Sequence, residues 1–161
     1  IDFQIVDDTK IVSPLVPFVS YPYEWCNAQI YDAAQLTCKV SERVLEDNFE
    51  IKDASAWNIV FIGCIPCFCD HLSFKKIDTP HWWAFGQFIR HFVLPLCVSK
   101  YRALEAYQCF KINRDGIDPK QASSLLGFRR FATWYWPLML NSGKKGTVVL
   151  SNASENQTKK N

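Results

Sequence analysis

Glycine is scarce in this chain: there are six in 161 residues, and no two are separated by a single residue. A Rossmann-type methyl-donor or dinucleotide pocket needs a Gly-x-Gly turn between a strand and a helix, so these residues do not build one. The glycine-rich loop that covers phosphates in kinases is missing for the same reason. Long apolar runs are also missing. The longest, Ile59 to Cys69, contains Gly63 and Pro66 and is too short to span a bilayer. No charged segment precedes an apolar one near Ile1, so no secretory leader is visible. The sequence therefore reads as a soluble, cytoplasmic protein with no membrane partner, and as a fragment of a longer chain.

One-sided charge is absent too. Eighteen Lys and Arg against sixteen Asp and Glu leave a net charge of +2, too weak a field to argue for nucleic acid. Paired bases such as Lys75-Lys76 and Arg129-Arg130 suit a solvated surface better than a phosphate track. Seven cysteines, an odd number at irregular spacing, argue against a secreted disulfide framework. Reduced, mostly buried thiols are expected instead. The run Cys64-Ile65-Pro66-Cys67-Phe68-Cys69-Asp70-His71 holds four potential zinc ligands, but no second Cys or His pair closes a structural site.

What the chain does have is apolar and aromatic: 48% hydrophobic and 15% aromatic residues, enough for one domain with a real core. Residues 1–20 read as a β-hairpin turning at Asp7-Asp8-Thr9-Lys10. Three prolines, Pro14, Pro17 and Pro22, make an extended connector from Ser13 to Trp25. From Asn27 to Asp47, Ile30, Ala33, Ala34, Thr37, Val40 and Val44 follow helical spacing, with Asn27 as N-cap and Asn48 as stop. A second hairpin is expected over 59–69 around Gly63-Cys64, followed by a polar link. Trp82 to Cys97 reads as a helix carrying an aromatic stripe that Pro95 ends or kinks. His91, beside Arg90 on that stripe, reads as a surface or satisfied histidine. Further helices are expected over Lys100 to Lys111 and from Asp118-Pro119 to Gly127. From Asn141 the composition turns to Ser, Gly, Lys and Asn, a linker or tail over 141–161. The fold class is therefore α+β, mostly helical with short β-hairpins, in one domain over 1–140.

The residues with most chemical content are Asp53, Asn58 and Asp70, with two strand-like segments between the last two. Kinase-like phosphotransferases use an Asp-x-x-x-x-Asn loop, a hairpin and a second Asp. Asp53 would then be the catalytic carboxylate that orients or deprotonates a hydroxyl. Asn58 and Asp70 would be the metal-side pair, offering oxygens to Mg²⁺. The other reading is a capped loop in which Asp53 and Asn58 bond their own backbone.

Six segments together resemble one family. They are VPFVSYPYEW (Val16–Trp25), DAAQLT (Asp32–Thr37), KDASAWNIVF (Lys52–Phe61), DHLSF (Asp70–Phe74), WWAFGQFIRHFVLPL (Trp82–Leu96) and DGIDPKQASSLL (Asp115–Leu126). They are similar to the region ahead of the catalytic domain in a group of bacterial S-adenosylmethionine-dependent methyltransferases. The resemblance implies a leading kinase-like region, like the C-terminal lobe of that fold, followed by a downstream methyltransferase domain. S-adenosylmethionine would bind in that domain, outside this chain. It also implies that this chain alone turns nothing over. Three functions stand open: an accessory region of a methyltransferase, a phosphotransferase using Mg-ATP on a small molecule, and an interaction module using Trp134-Tyr135-Trp136.

Overall fold

The longest helix follows directly from the apolar spacing. In the computed structural model, which describes residues 4–101 and 103–132, helix α1 spans Asn27–Leu45 and buries Ile30, Ala33, Ala34 and Thr37. These lie at i, i+3, i+4 and i+7, one face of a 3.6-residue helix. The helix stops where Asn48 takes φ 62°, a left-handed conformation that Asn tolerates. Its start differs from expectation. Asn27 is the first helical residue, and Gln29 Oε1 accepts from the Cys26 N–H ahead of it at 3.0 Å. The Asn27 side chain instead reaches across the fold, accepting from Ala106 N at 3.1 Å and donating to Glu105 at 2.7 Å. It caps a different helix, which sequence proximity cannot reveal.

The strands form three antiparallel pairs. Strands β1 (Gln4–Asp7) and β2 (Lys10–Val12) make the expected first hairpin. Strand β3 (Phe49–Ile51) pairs with β6 (Phe74–Lys76), so the expected polar link contains a strand. Strands β4 (Ile59–Ile62) and β5 (Ile65–Phe68) form the second hairpin around Gly63, in the register Ile59↔Phe68 to Ile62↔Ile65. The fold is α+β with short antiparallel pairs, as the composition suggested.

The aromatic helix lies three residues later than its sequence suggests and is less regular. A short α-helical turn, α2 (Phe85–Phe88), widens into a π-helical turn at Ile89–Val93 and resumes as α3 (Leu94–Lys100). Pro95 does not end it. A proline's ring normally collides with the carbonyl four residues back, here His91. Here Pro95 is the second residue of α3, directly after the wide turn. The helix expected over 100–111 is only α4, Ala106–Ile112, because Gln108 Oε1 accepts from the Glu105 N–H at 2.8 Å and fixes its start there. Helix α5, Pro119–Leu126, begins as expected on Asp118, whose carboxylate accepts from Lys120 N at 2.8 Å.

Two main apolar clusters hold these elements. Trp25, Ile30, Ile59, Phe61, Phe92 and Phe110 join α1, the β4–β5 hairpin and the aromatic helix, with Trp25 edge-on to Phe61 at 5.0 Å. Ile89, Leu94, Val98, Ile117 and Leu126 join α3 to α5. All seven cysteines are unpaired, but only Cys97 and Cys109 are buried, so the expectation of mostly buried thiols is corrected. Among the described residues no helix is long and apolar enough to cross a membrane. The tail expected over 141–161 and the Trp134-Tyr135-Trp136 patch lie outside the described residues.

Candidate functional site

Two strand ladders run into the same place. The β3–β6 pairing continues one step beyond Ile51↔Phe74, where Lys52 N donates to the Ser73 carbonyl at 2.8 Å. The β4–β5 pairing continues one step beyond Ile59↔Phe68, where Cys69 N donates to the Asn58 carbonyl at 2.9 Å. Asp53 follows β3, Asn58 precedes β4, Asp70 follows β5 and Ser73 precedes β6. Four strand ends thus deliver the residues that the sequence spacing selected, together with one it did not.

Ser73 is the missed member. Its hydroxyl is completely buried, accepts from Asn58 Nδ2 at 3.0 Å and donates to Asp70 Oδ2. Asn58 Nδ2 also donates to the Asp53 backbone carbonyl, at 3.0 Å. Asn58 and Asp70 are therefore brought to one hydroxyl, and Asn58 is tied to the backbone of Asp53. The Asp70 carboxylate also accepts from Leu72 N at 2.9 Å, and Asp53 Oδ1 accepts from Ser55 N at 3.0 Å. Serine three residues after Asp70 in the Asp-His-Leu-Ser-Phe block was the available signal, since such pairs close local turns.

The 54–58 segment is held from every side. Ala54 N donates to Gln87 Oε1 at 2.8 Å, and Ala56 N donates to His91 Nδ1 at 3.2 Å. Trp57 N donates to the Ser55 hydroxyl at 3.2 Å, and Asn58 N to the Ser55 carbonyl at 3.1 Å. Gln87 and His91 are polar residues four apart in an otherwise aromatic stripe, and that exception was legible. His91 is a satisfied histidine, as expected, but buried rather than at the surface. Burial pushes its pKa from 6.5 down to about 4, against the opposing pull of Asp115 and Asp53.

Trp57 closes the outer wall. Its ring centroid lies 6.0 Å from both Tyr21 and Tyr23, which stack on each other at 5.6 Å. The Arg114 guanidinium sits 5.0 Å from the Trp57 ring, and Trp57 Nε1 donates to the Arg114 carbonyl at 2.9 Å. The proline-rich connector is thereby packed beside the loop. Glu24, on that connector, accepts from Tyr21 N at 2.8 Å, which closes a local turn. Burial raises the Cys69 thiol, so this neighbour offers no ready thiolate.

Among the described residues no group of three or more His, Cys, Asp or Glu side chains is placed to hold a metal ion. Among the described residues Asp53 Oδ2 and Asn58 Oδ1 accept no hydrogen bond, and each could ligate a hard cation. Both Asp70 oxygens already accept protein hydrogen bonds, so Asp70 would have to share them.

The chain is similar to the nodulation protein NoeA of Rhizobium meliloti (strain 1021), with 31% identity over 119 residues. The matched residues are 73% of this chain and 25% of that protein. The chain thus spans about a quarter of the length of the curated relative it matches, and corresponds to one part of a larger protein. No family model and no solved structure matches it.

Proposed function

We propose that the chain is the leading kinase-like accessory region of an S-adenosylmethionine-dependent methyltransferase. In this reading it positions a downstream catalytic domain and carries no methyl-donor site of its own. One observation supports the accessory role above all. Every backbone N–H from Ala54 to Asn58 is spent inside the protein: on Gln87, on Asp53, on His91, on the Ser55 hydroxyl and on the Ser55 carbonyl. Phosphate cradles work by pointing such groups at the ligand. A loop with none left is a joint between strands and helix. The methyltransferase part rests on the sequence resemblance, and the likeness to a quarter of a longer protein is compatible with it. Seven unpaired cysteines suit a reducing, cytoplasmic setting.

The test uses the full-length natural protein. Calorimetry with S-adenosylmethionine should show binding, and Asp53→Asn should leave methyl transfer within about tenfold of wild type. Absence of S-adenosylmethionine binding would remove the methyltransferase assignment. The second reading, a small-molecule phosphotransferase using Mg-ATP, is favoured by the open acceptors Asp53 Oδ2 and Asn58 Oδ1. In that case Mg-ATP binding should weaken in Asn58→Ala and Asp70→Ala. Loss of a general base at Asp53 should also cost at least about 10²-fold in phosphate transfer.

A further inference from the structure

The π-helical turn at Ile89–Val93 joins two contacts that a regular helix would not offer together. Its widening frees the Arg90 carbonyl, which accepts from Ile117 N at 3.1 Å. It also seats the His91 ring between the 53–58 loop and Phe110, whose ring centroid is 5.8 Å away. His91 Nδ1 accepts from Ala56 N, so that nitrogen carries a lone pair and the ring proton sits on Nε2. Such wide turns recur at functional sites because inserting one residue re-aims the side chains around it.

We propose that His91 is the positioning residue of the Asp53–Asn58 loop, holding it only while the imidazole is neutral. This deepens the reading of that loop as a joint and rests on it. With Gln87 on Ala54 and His91 on Ala56, the aromatic helix grips alternate amides and so fixes the backbone between Asp53 and Asn58. Protonation would turn Nδ1 from acceptor into donor, facing another donor, and the grip at Ala56 would be lost. Three charged groups face the ring. Asp53 from the loop and Asp115 from the turn before α5 favour the proton, whereas Arg90 on its own helix opposes it. Burial, with Arg90 acting the same way, outweighs the two carboxylates and keeps the ring neutral near pH 7.

The experiment is solution NMR on the wild-type chain, His91→Asn and His91→Leu. Asn places an acceptor oxygen close to where Nδ1 lies and cannot titrate, whereas Leu offers no acceptor. The wild-type ring should be the Nε2–H tautomer at pH 7. On acidification, the Ala56 amide should shift with the same midpoint as the His91 imidazole, while amides of β4 and β5 stay still. Exchange of the Ala56 amide should rise about tenfold or more in His91→Leu and stay near wild type in His91→Asn. An Nδ1–H tautomer at pH 7, different midpoints for Ala56 and His91, or equal exchange in both variants would overturn the proposal. If His91→Leu fails to fold, the wild-type titration decides by itself. No ligand enters these measurements, so their failure is separate from failure of S-adenosylmethionine or Mg-ATP binding.

Discussion

Gly116→Ala should be among the most damaging small substitutions in this chain, and the structure says by how much. Gly116 has φ +74°, and a Cβ built there would sit 2.2 Å from the Arg90 carbonyl oxygen and 2.7 Å from its carbon. Both are backbone atoms of the π turn and cannot rotate away. Gly63 has a similar φ of +61° but no atom within 4 Å of a built Cβ. Gly63→Ala therefore measures left-handed strain alone, about 1 kcal/mol. Gly116→Ala adds displacement of Arg90 and loss of the Ile117 N–H to Arg90 carbonyl bond, about 1–3 kcal/mol more for a buried group left unpaired. Its total should be about 2–4 kcal/mol, a large share of the 5–15 kcal/mol typical of a domain. Urea unfolding followed by tryptophan fluorescence gives both values, and thermal unfolding should drop by about 5–12 °C for Gly116→Ala. Equal destabilisation by the two substitutions would refute the close approach of the 116–117 turn to the wide helical turn.

Stability should depend on pH through His91, with a fixed sign. Its folded pKa, about 4, lies below the unfolded 6.5, so the unfolded chain binds more protons between those values and stability falls as pH drops through that window. The full loss is about 3 kcal/mol below pH 4, and His91→Asn should flatten it; identical urea midpoints against pH in both proteins would contradict this. Asn58→Ala should cost about 1–3 kcal/mol, because it strips a buried donor from both Ser73 and the Asp53 carbonyl; a change under 0.5 kcal/mol in urea unfolding would speak against that network. Glu50 is buried and pairs across the sheet with Lys75 at 3.2 Å. Lys75→Met should destabilise the fold by leaving that carboxylate only the Trp83 N–H at 3.2 Å, and adding Glu50→Leu should recover most of the loss in urea unfolding; additivity of the two changes would refute the coupling.

The parts of the fold that sequence revealed are those written in local chemistry. The apolar period of α1, the glycine turn of β4–β5 and the Asp118-Pro119 start of α5 each need only neighbours a few residues away. The parts it concealed depend on residues far apart. Asn27 looks like a cap for the helix it begins, but the free end of α4 claims its amide from 78 and 79 residues away. Strand β6 is three residues with two lysines, and only pairing with β3 makes it a strand. Pro95 signals a helix end, and nothing local announces the wide turn that precedes α3. Within the candidate site, the Asp53, Asn58 and Asp70 spacing pointed to one region. Ser73, which links two of them, is a common residue whose role depends on where β6 begins.

A rigid loop does not by itself choose between an accessory region and a phosphotransferase, because both need Asp53 and Asn58 held in place. The choice turns on what remains to hold a phosphate. The loop's own amides are spent, and the nearby Arg114 guanidinium lies against Trp57. Lys75, another cation on these strands, is committed to Glu50 and Asp78. Two open carboxylate and amide oxygens can attract a cation, but a metal bound by so few groups gains most of its affinity from the phosphates it bridges. Lys52, exposed beside Asp53, is the cation of this loop that a phosphate could meet, but no loop amide is left to join it. Under the proposed accessory reading, the same oxygens, at the meeting of four strand ends, would receive donors from the downstream domain, and Asp53→Asn would then weaken domain docking rather than phosphate transfer.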